Sequence, residues 1–463
     1  MIDWIIGTLI VLVLSVVIIF LGCVIRAALV RNKDIKVLRI PTTLTDRDEK
    51  HAQDLLELLS IKTTSYGDDE AYHNFREKMK LMFPLIHQFM KREKIGSNVI
   101  FTYQTEKPSK KILFVTHMDT HFGDEEKGMD ANEVHGPGAF DSKALLYATL
   151  RAVEDMFETN PKLSTSITII VTVDDETTKN GNESIVNKFL KQGHFYNLVI
   201  EEGIGIIDPT FLELKSHFAL LGVGVTGEVG IRYKVVKTPK SKEHLMGFIE
   251  SLEQANVFKS QVDQNARRIL SHFAKDMPFH SRFLFSNIWL FRNVVKRVIN
   301  ADKTEFSKLL KTTFTHGEVM ENDANYYVDV VFQLATHDTT SEVVSSLAHL
   351  VKKYDVDYEI TSIKESSKQT NEAMEGYQIV KKAIETTFKD LYVAPYIITT
   401  ISDQRYLTRV SDCVIRFSPL YYPYQSIMDA ENGNEHIMKK SLTYGIDLYK
   451  EIIKKFEGLN HVL

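Results

Sequence analysis

The sequence predicts an α/β protein: a doubly wound mixed sheet, interrupted by an inserted α+β unit and preceded by one N-terminal transmembrane helix. Three observations predict it. Apolar, β-branched segments at residues 112–116, 166–173 and 197–200 each stop on a polar cluster, and helical periodicity separates them. Between about residues 215 and 362 this rhythm gives way to long strands and helices with few clustered acids, and it then resumes. Residues 4–25 carry no charge and as a helix would reach about 33 Å, enough for a bilayer core. The boundaries that follow are 1–35 for the anchor and its basic flank, 36–214 and 363–463 for the sheet domain, and 215–362 for the insertion.

Only Asp3 precedes the apolar run, so the basic start of a cleaved signal peptide is missing. Arg26, Arg31, Lys33, Lys36 and Arg39 follow it and favour a cytoplasmic C-terminal domain, a bias that a large folded domain can override. The membrane side therefore stays open. Two cysteines, Cys23 and Cys413, exclude a disulfide framework. At 463 residues with a net charge of −5 and no long basic block after the N-terminus, the chain has room for two folded units and lacks a nucleic-acid footprint.

In chain order, Thr45-Asp46-Arg47-Asp48 opens a helix with Leu55, Leu56, Leu58 and Leu59 as its apolar stripe, and a second helix covers 71–92, bent near Phe83-Pro84. The strand at 112–116 is followed by a helix at 144–157, the strand at 166–173 by a helix from about Ser184. In the insertion, strands and helices are expected over 219–225, 230–236, 244–255, 326–335 and 340–354. The aromatic stretch 279–300, with Phe283, Phe285, Trp289 and Phe291, suits core or interface packing. A helix at 370–390, strands at 396–400 and 413–419 and a final helix at 438–456 complete the chain.

The chemistry sits at the strand ends, where ligands of open α/β sheets bind. His117 and Asp119, two apart, share a face, so the carboxylate can orient the imidazole and leave its other nitrogen for a metal. The turn Gly136-Pro137-Gly138-Ala139-Phe140 presents Asp141, a carboxylate able to bridge two metals. Asp174-Asp175-Glu176 and Glu201-Glu202-Gly203 end the next two strands. Singly, such acids are solvated turn residues or helix caps. In register with a His they suit zinc or another divalent ion, with a spare carboxylate as general base.

Taken together with Phe75, Phe83-Pro84-Leu85-Ile86-His87, Gly138-Ala139-Phe140-Asp141-Ser142-Lys143, Asp403-Gln404-Arg405, Arg416-Phe417-Ser418-Pro419 and Asn434-Glu435, these residues make the chain resemble the dinuclear zinc aminoacylase and carboxypeptidase superfamily, most closely its carboxypeptidase S and Gly-Xaa carboxypeptidase branch. The resemblance implies a catalytic domain with two zinc ions and an inserted lid that also mediates homodimers. It implies His117 and Glu201 on one metal, Asp141 bridging, Glu176 on the other, Asp119 orienting His117, Asp175 as general base, and Arg405 binding a substrate carboxylate. The function implied is a membrane-anchored, metal-dependent hydrolase of amide bonds in small peptides or N-acyl amino acids.

The chain departs from that pattern at functional positions. Asp175 stands where the family has Glu, shortening the base by one methylene. Glu431 stands where the last metal ligand is a His, which adds negative charge and brings Mn, Co or Mg into contention with Zn; His436 is the nearby alternative. Residues 237–242 lack the lid histidine, and the segment 120–133 is short. The alternative reading is accordingly a catalytically degenerate member that binds a peptide, amino-acid derivative or protein partner without turnover. A dinuclear phosphoesterase would share the HxD and the acid clusters, but the chain has no Gly-rich phosphate cradle.

Overall fold

The computed structural model describes residues 2–460 apart from 33, 65–68, 106–108, 121–126, 174–180, 213, 255–256, 303–304 and 400–403. The chain divides into two compact units, one of residues 36–225, 367–398 and 402–463, the other of residues 1–35, 226–366 and 399–401.

The first unit is built on a mixed ten-stranded sheet. Its spatial order is Lys91–Ile95, Asn98–Tyr103, Ser166–Thr172, Lys111–His117, Leu198–Glu201, Val414–Arg416, Phe218–Val225, Gly205–Ile207 and Tyr421–Tyr422, with Tyr392–Ile398 branching from Phe218–Val225. Lys111–His117 runs parallel to both Ser166–Thr172 and Leu198–Glu201, so the three strands expected to carry chemistry finish on one edge. Both sheet faces are covered. Phe114 points to the face of the long helix Lys439–Asn460, where its ring lies 5.3 Å from that of Tyr449. Leu113 and Val115, of opposite parity, pack with Ile185, Val186 and Phe189 of the helix Gly181–Lys191. His117 continues the parity of Leu113 and Val115. A small antiparallel sheet of Gly128–Met129, Glu133–His135 and His436–Met438 lies in the same unit.

The second unit has a five-stranded sheet ordered Thr313–His316, Asn325–Gln333, Glu228–Val236, Asp357–Lys364, with Met320–Glu321 paired to Asn325–Gln333. The helices Ser241–Gln254 and Thr340–Lys353 cover it through Leu245, Phe248, Val343 and Leu347, which meet Val229, Ile231, Tyr233, Val328 and Val330 of the strands. Four further helices, Gln264–Ala274, Phe279–Ser286, Ile288–Asp302 and Glu305–Leu310, complete it. The N-terminal helix Ile2–Leu29 groups with this unit.

Several expected boundaries move. Phe218–Val225 belongs to the large sheet, because it pairs in parallel with Tyr392–Ile398; the insertion therefore runs from Thr226 to Ser366 rather than 215–362. The expected helix 71–92 is two helices, Asp69–Met82 and Pro84–Phe89, since Pro84 can start a turn but cannot continue one, and Lys91–Ile95 is a strand paired with Asn98–Tyr103. The expected strand 413–419 is paired only over Val414–Arg416, and His436–Met438 is a strand that precedes the last helix.

Candidate metal centre at the strand ends

His117 closes its strand and is 4% exposed, and Asp119 is fully buried. The Asp119 carboxylate lies 3.1 Å from His117 Nδ1 and accepts a hydrogen bond from its N–H, which in the neutral ring leaves Nε2 its lone pair. The connection between them is held from the side: Met118 N–H donates to Thr172 O, Thr63 Oγ1 donates to Met118 O, and Thr120 N–H donates to Thr63 O. These bonds fix where the imidazole points.

Two carboxylates meet that nitrogen. His117 Nε2 lies 3.0 Å from Glu202 Oε2 and 3.4 Å from Asp141 Oδ1, and the three atoms fall within 4.8 Å of one another. A ring nitrogen with its lone pair outward and two carboxylate oxygens repel each other unless a cation or a proton stands among them. One nitrogen and two oxygens at this spacing is a donor set that fits a divalent ion.

Asp141 is presented by a turn fixed from a distant part of the chain. Glu435 Oε2 accepts from Gly138 N (2.9 Å), Phe140 N (3.1 Å) and Asp141 N (3.4 Å). Tyr422 Oη donates to Phe140 O at 2.6 Å, and the two rings meet at a tilt of 39° with centroids 4.3 Å apart. Burial, then the Asp141 charge, pushes the Glu435 carboxyl up to about 7, against the three amides that favour its ionised form. Gly138 has φ +90° and a Cβ there would stand 2.9 Å from the Lys143 side chain, so the turn requires glycine. Lys143 is buried, donates to Ile61 O at 2.7 Å, and is pushed down to about 7 by that burial. Ser142 holds φ 58° and ψ −90°, a conformation that L-residues rarely adopt, and its N–H donates to Asp141 Oδ1 at 2.7 Å. That bond occupies one lone pair of the presented carboxylate and limits its rotation.

The structure separates the two adjacent glutamates. The resemblance implies Glu201 beside His117, but the residue that stands there is Glu202. Glu201 pairs with Val115, two residues short of His117 along the neighbouring strand, and on its other side pairs with Arg416, whose Nε lies 3.2 Å from its carboxylate. Glu202 is the first residue past the strand, and its side chain reaches back to the imidazole, Oε2 to Nε2 3.0 Å. Gly203 then lets the chain leave the strand, since a Cβ there would come within 2.4 Å of the Arg416 backbone. No local signal distinguishes Glu201 from Glu202; what separates them is that Glu201 stays in the strand against Arg416 while Glu202 lies just past its end.

Asp175 and Glu176 lie outside the described residues, as does the side chain of Glu431, which ends the helix Tyr424–Glu431. Arg405 lies partly exposed in the short helix Gln404–Leu407, whose Leu407 packs with the core on the His117 side of the sheet. His436 stands away from the expected ligand set in the small sheet, with its Nε2 3.9 Å from Glu133 and its ring 5.5 Å from that of His135. Sequence reasoning treated Glu435 only as part of a motif; its partners are turn amides, which local pattern does not reveal.

A His, an orienting Asp and two converging carboxylates at the strand ends of a doubly wound sheet with an α+β insertion define a class, the metal-dependent hydrolases. The chain belongs to Peptidase family M20/M25/M40, whose model matches residues 113–455. It is 24% identical over 453 residues to "Probable carboxypeptidase S-like 2" of Dictyostelium discoideum, covering 90% of this chain and 86% of that one. It is 22% identical over 467 residues to "N-fatty-acyl-amino acid synthase/hydrolase PM20D1" of Xenopus tropicalis, covering 91% and 90%. Among solved structures, the M20 family metallo-carboxypeptidase Sso-CP2 from Sulfolobus solfataricus matches with TM-score 0.63 at 14% identity, over 88% of this chain and 99% of that one. Human carnosine dipeptidase 1 matches with TM-score 0.58 at 14% identity, over 89% and 97%. These two likenesses concern the fold.

Proposed function

We propose that this protein is a membrane-anchored, metal-dependent hydrolase of amide bonds in small peptides or N-acyl amino acids that carry a free carboxylate. The observation that carries the reading is the convergence of His117 Nε2, Asp141 Oδ1 and Glu202 Oε2. These residues would hold one divalent ion, Asp141 would also face a second, and Glu176 and Glu431 are the expected ligands there. A bound ion supplies Lewis-acid polarisation of a carbonyl and acidifies a water.

The rest of the chemistry belongs to the protein. Asp119 fixes the His117 tautomer, and Glu435 with Tyr422 keeps Asp141 aimed. Asp175 would take the proton from the attacking water, and Arg405 would set register on the substrate carboxylate through a two-pronged guanidinium contact. Relatives named for carboxypeptidase and for N-fatty-acyl-amino-acid activity support both substrate classes.

Anchoring is supported by the helix Trp4–Leu29, the one helix among the described residues long and apolar enough to cross a membrane. Its last turns are built into the second unit rather than trailing from it: Ala27 and Cys23 are buried, and their carbonyls accept from Arg282 and Asn287. A homodimer through the inserted unit is supported by its edge strand Asp357–Lys364, which exposes Tyr358, Ile360 and Ile363.

The test is to load the detergent-solubilised full chain with Zn²⁺, Mn²⁺ or Co²⁺ and measure bound metal beside hydrolysis of Gly-Xaa dipeptides and N-acyl amino acids. Metal-dependent turnover that disappears in Asp141→Ala is expected. A folded protein that binds these compounds and turns over none of them would favour the degenerate reading, for which Asp175 and Glu431 are the motivating departures.

A further inference from the structure

We propose that the helices Phe279–Ser286 and Ile288–Asp302 of the inserted unit form a platform that rests in the membrane interface beside the N-terminal helix, with lipid as its partner. This rests on the anchor reading above and goes beyond it. The anchor requires only that one helix cross the bilayer; the platform assigns a bilayer-facing surface to the folded unit itself.

Contact depth carries the inference. The ring of Phe20 lies 5.6 Å from that of Phe283, which lies 5.1 Å from Phe291 and 6.3 Å from Phe279. Phe20 stands five residues inside the end of the uncharged run at Ile25, about 7 Å along the helix axis. If that run spans the hydrocarbon core, whatever touches Phe20 lies at or below the headgroup level. The junction is fixed by hydrogen bonds to the anchor's backbone. Arg282 Nε donates to Ala27 O at 2.8 Å and Asn287 Nδ2 to Cys23 O at 3.1 Å. Ala27 O is one of the last-turn carbonyls a helix leaves unpaired, so Arg282 acts as a cap. Asn32 N–H donates to Lys275 O at 3.0 Å just beyond.

The composition of the outer face agrees. Ile288, Val295 and Ile299 turn inward and are buried, whereas Trp289, Leu290, Val294 and Val298 are exposed by 55, 45, 43 and 38%, and Phe279 by 49%. Leu290, Val294 and Val298 recur every four residues and make one stripe. Arg297 lies to the side of that stripe, where an arginine can reach anionic headgroups. Tryptophan at the rim of such a face is the residue that prefers the interface.

The chain contains two tryptophans, Trp4 and Trp289, one on each element, which separates the two readings. The full-length protein is reconstituted in phosphatidylcholine–phosphatidylserine vesicles whose acyl chains carry bromine, once as Trp4→Phe and once as Trp289→Phe. The expected result is loss of Trp289 emission at the shallow depth of ~5–10 Å typical of interfacial helices, together with quenching of Trp4 and flotation of both variants. Adding Leu290→Glu and Val294→Glu to the Trp4→Phe variant should restore Trp289 emission while flotation persists. Flotation with Trp4 quenched but Trp289 bright and open to aqueous iodide would overturn the platform and leave the anchor standing. Trp289 shielded from both bromine and iodide would overturn it in favour of a second copy on this face. Failure of both variants to float would remove the anchor reading, and the platform with it.

Discussion

Glu435 accepts a hydrogen bond from the amide of Gly138, 297 positions away in the chain, at 2.9 Å. With the Phe140 and Asp141 amides on the same oxygen, one half-buried carboxylate shapes the turn that aims Asp141 at His117. Glu435→Ala would leave the amides of the buried Gly138 and the half-buried Phe140 and Asp141 without this acceptor, with the ~1–3 kcal/mol of a buried unsatisfied group applying at most to the first. The expected outcome is a lowered melting temperature and about 10–100-fold weaker metal binding, the loss typical when the support of a ligand is removed. Calorimetric titration with Zn²⁺ or Mn²⁺ checks it; unchanged affinity would show that the turn keeps its shape without this residue.

Asp119→Asn keeps the shape of a fully buried side chain but removes the charge that accepts from His117 Nδ1. The imidazole then loses its fixed tautomer and some basicity. Metal affinity should fall about 10–100-fold with little change in the far-ultraviolet circular dichroism. An affinity equal to wild type would make the pair structural.

Glu201 and Glu202 make a paired test. Glu202→Gln should weaken metal binding and spare stability. Glu201→Gln should leave the half-buried Arg416 opposite a neutral group and lower stability, by less than the ~3–5 kcal/mol of breaking a fully buried ion pair. Chemical denaturation beside metal titration separates the two, and the reverse pattern would return Glu201 to the metal.

Acid sensitivity should come partly from His51. Burial first, and then the Arg47 charge, pushes its imidazole down from 6.5 to about 4. Tyr147 Oη donates to Asp54 and accepts from His51 Nδ1 at 2.8 Å, while the buried Nε2 faces no acceptor among the described residues, so a second proton there would have nowhere to bond. The unfolded chain binds this proton at about 6.5 and the folded chain does not until about 4. The contribution is therefore complete above pH 6.5 and is lost as pH falls towards 4, on the order of 3 kcal/mol in all. Denaturation midpoints of wild type and His51→Gln should converge over that window. A wild-type slope retained in the variant would place the proton elsewhere.

Much of the framework was legible in sequence because it depends on local period and punctuation. The buried strands expected at 112–116 and 166–173 lie within Lys111–His117 and largely within Ser166–Thr172, the capped helix Asp46–Leu59 follows a Thr-x-x-Asp start, and the N-terminal apolar run is one long helix. The mistakes fell where partners are remote. Phe218–Val225 looked like part of the insertion until its parallel pairing with Tyr392–Ile398 placed it in the large sheet. Lys91–Ile95 continued a helical pattern that Pro84 and its strand partner had already ended.

His117, Asp119 and Asp141 stood out from sequence alone, since a polar residue that ends a buried strand or a Gly-Pro-Gly turn has few bland explanations once several occur in order. The choice of Glu202 over Glu201 did not, and neither did the clamp of Glu435 on the 138–141 turn. The first depends on where one strand ends and on the Arg416 pairing across the sheet that holds Glu201, the second on a contact across nearly the whole chain. Residue type and spacing along the chain carry period, charge and chemical capacity. Register and long-range contact set which oxygen meets which nitrogen, and those are properties of the folded sheet.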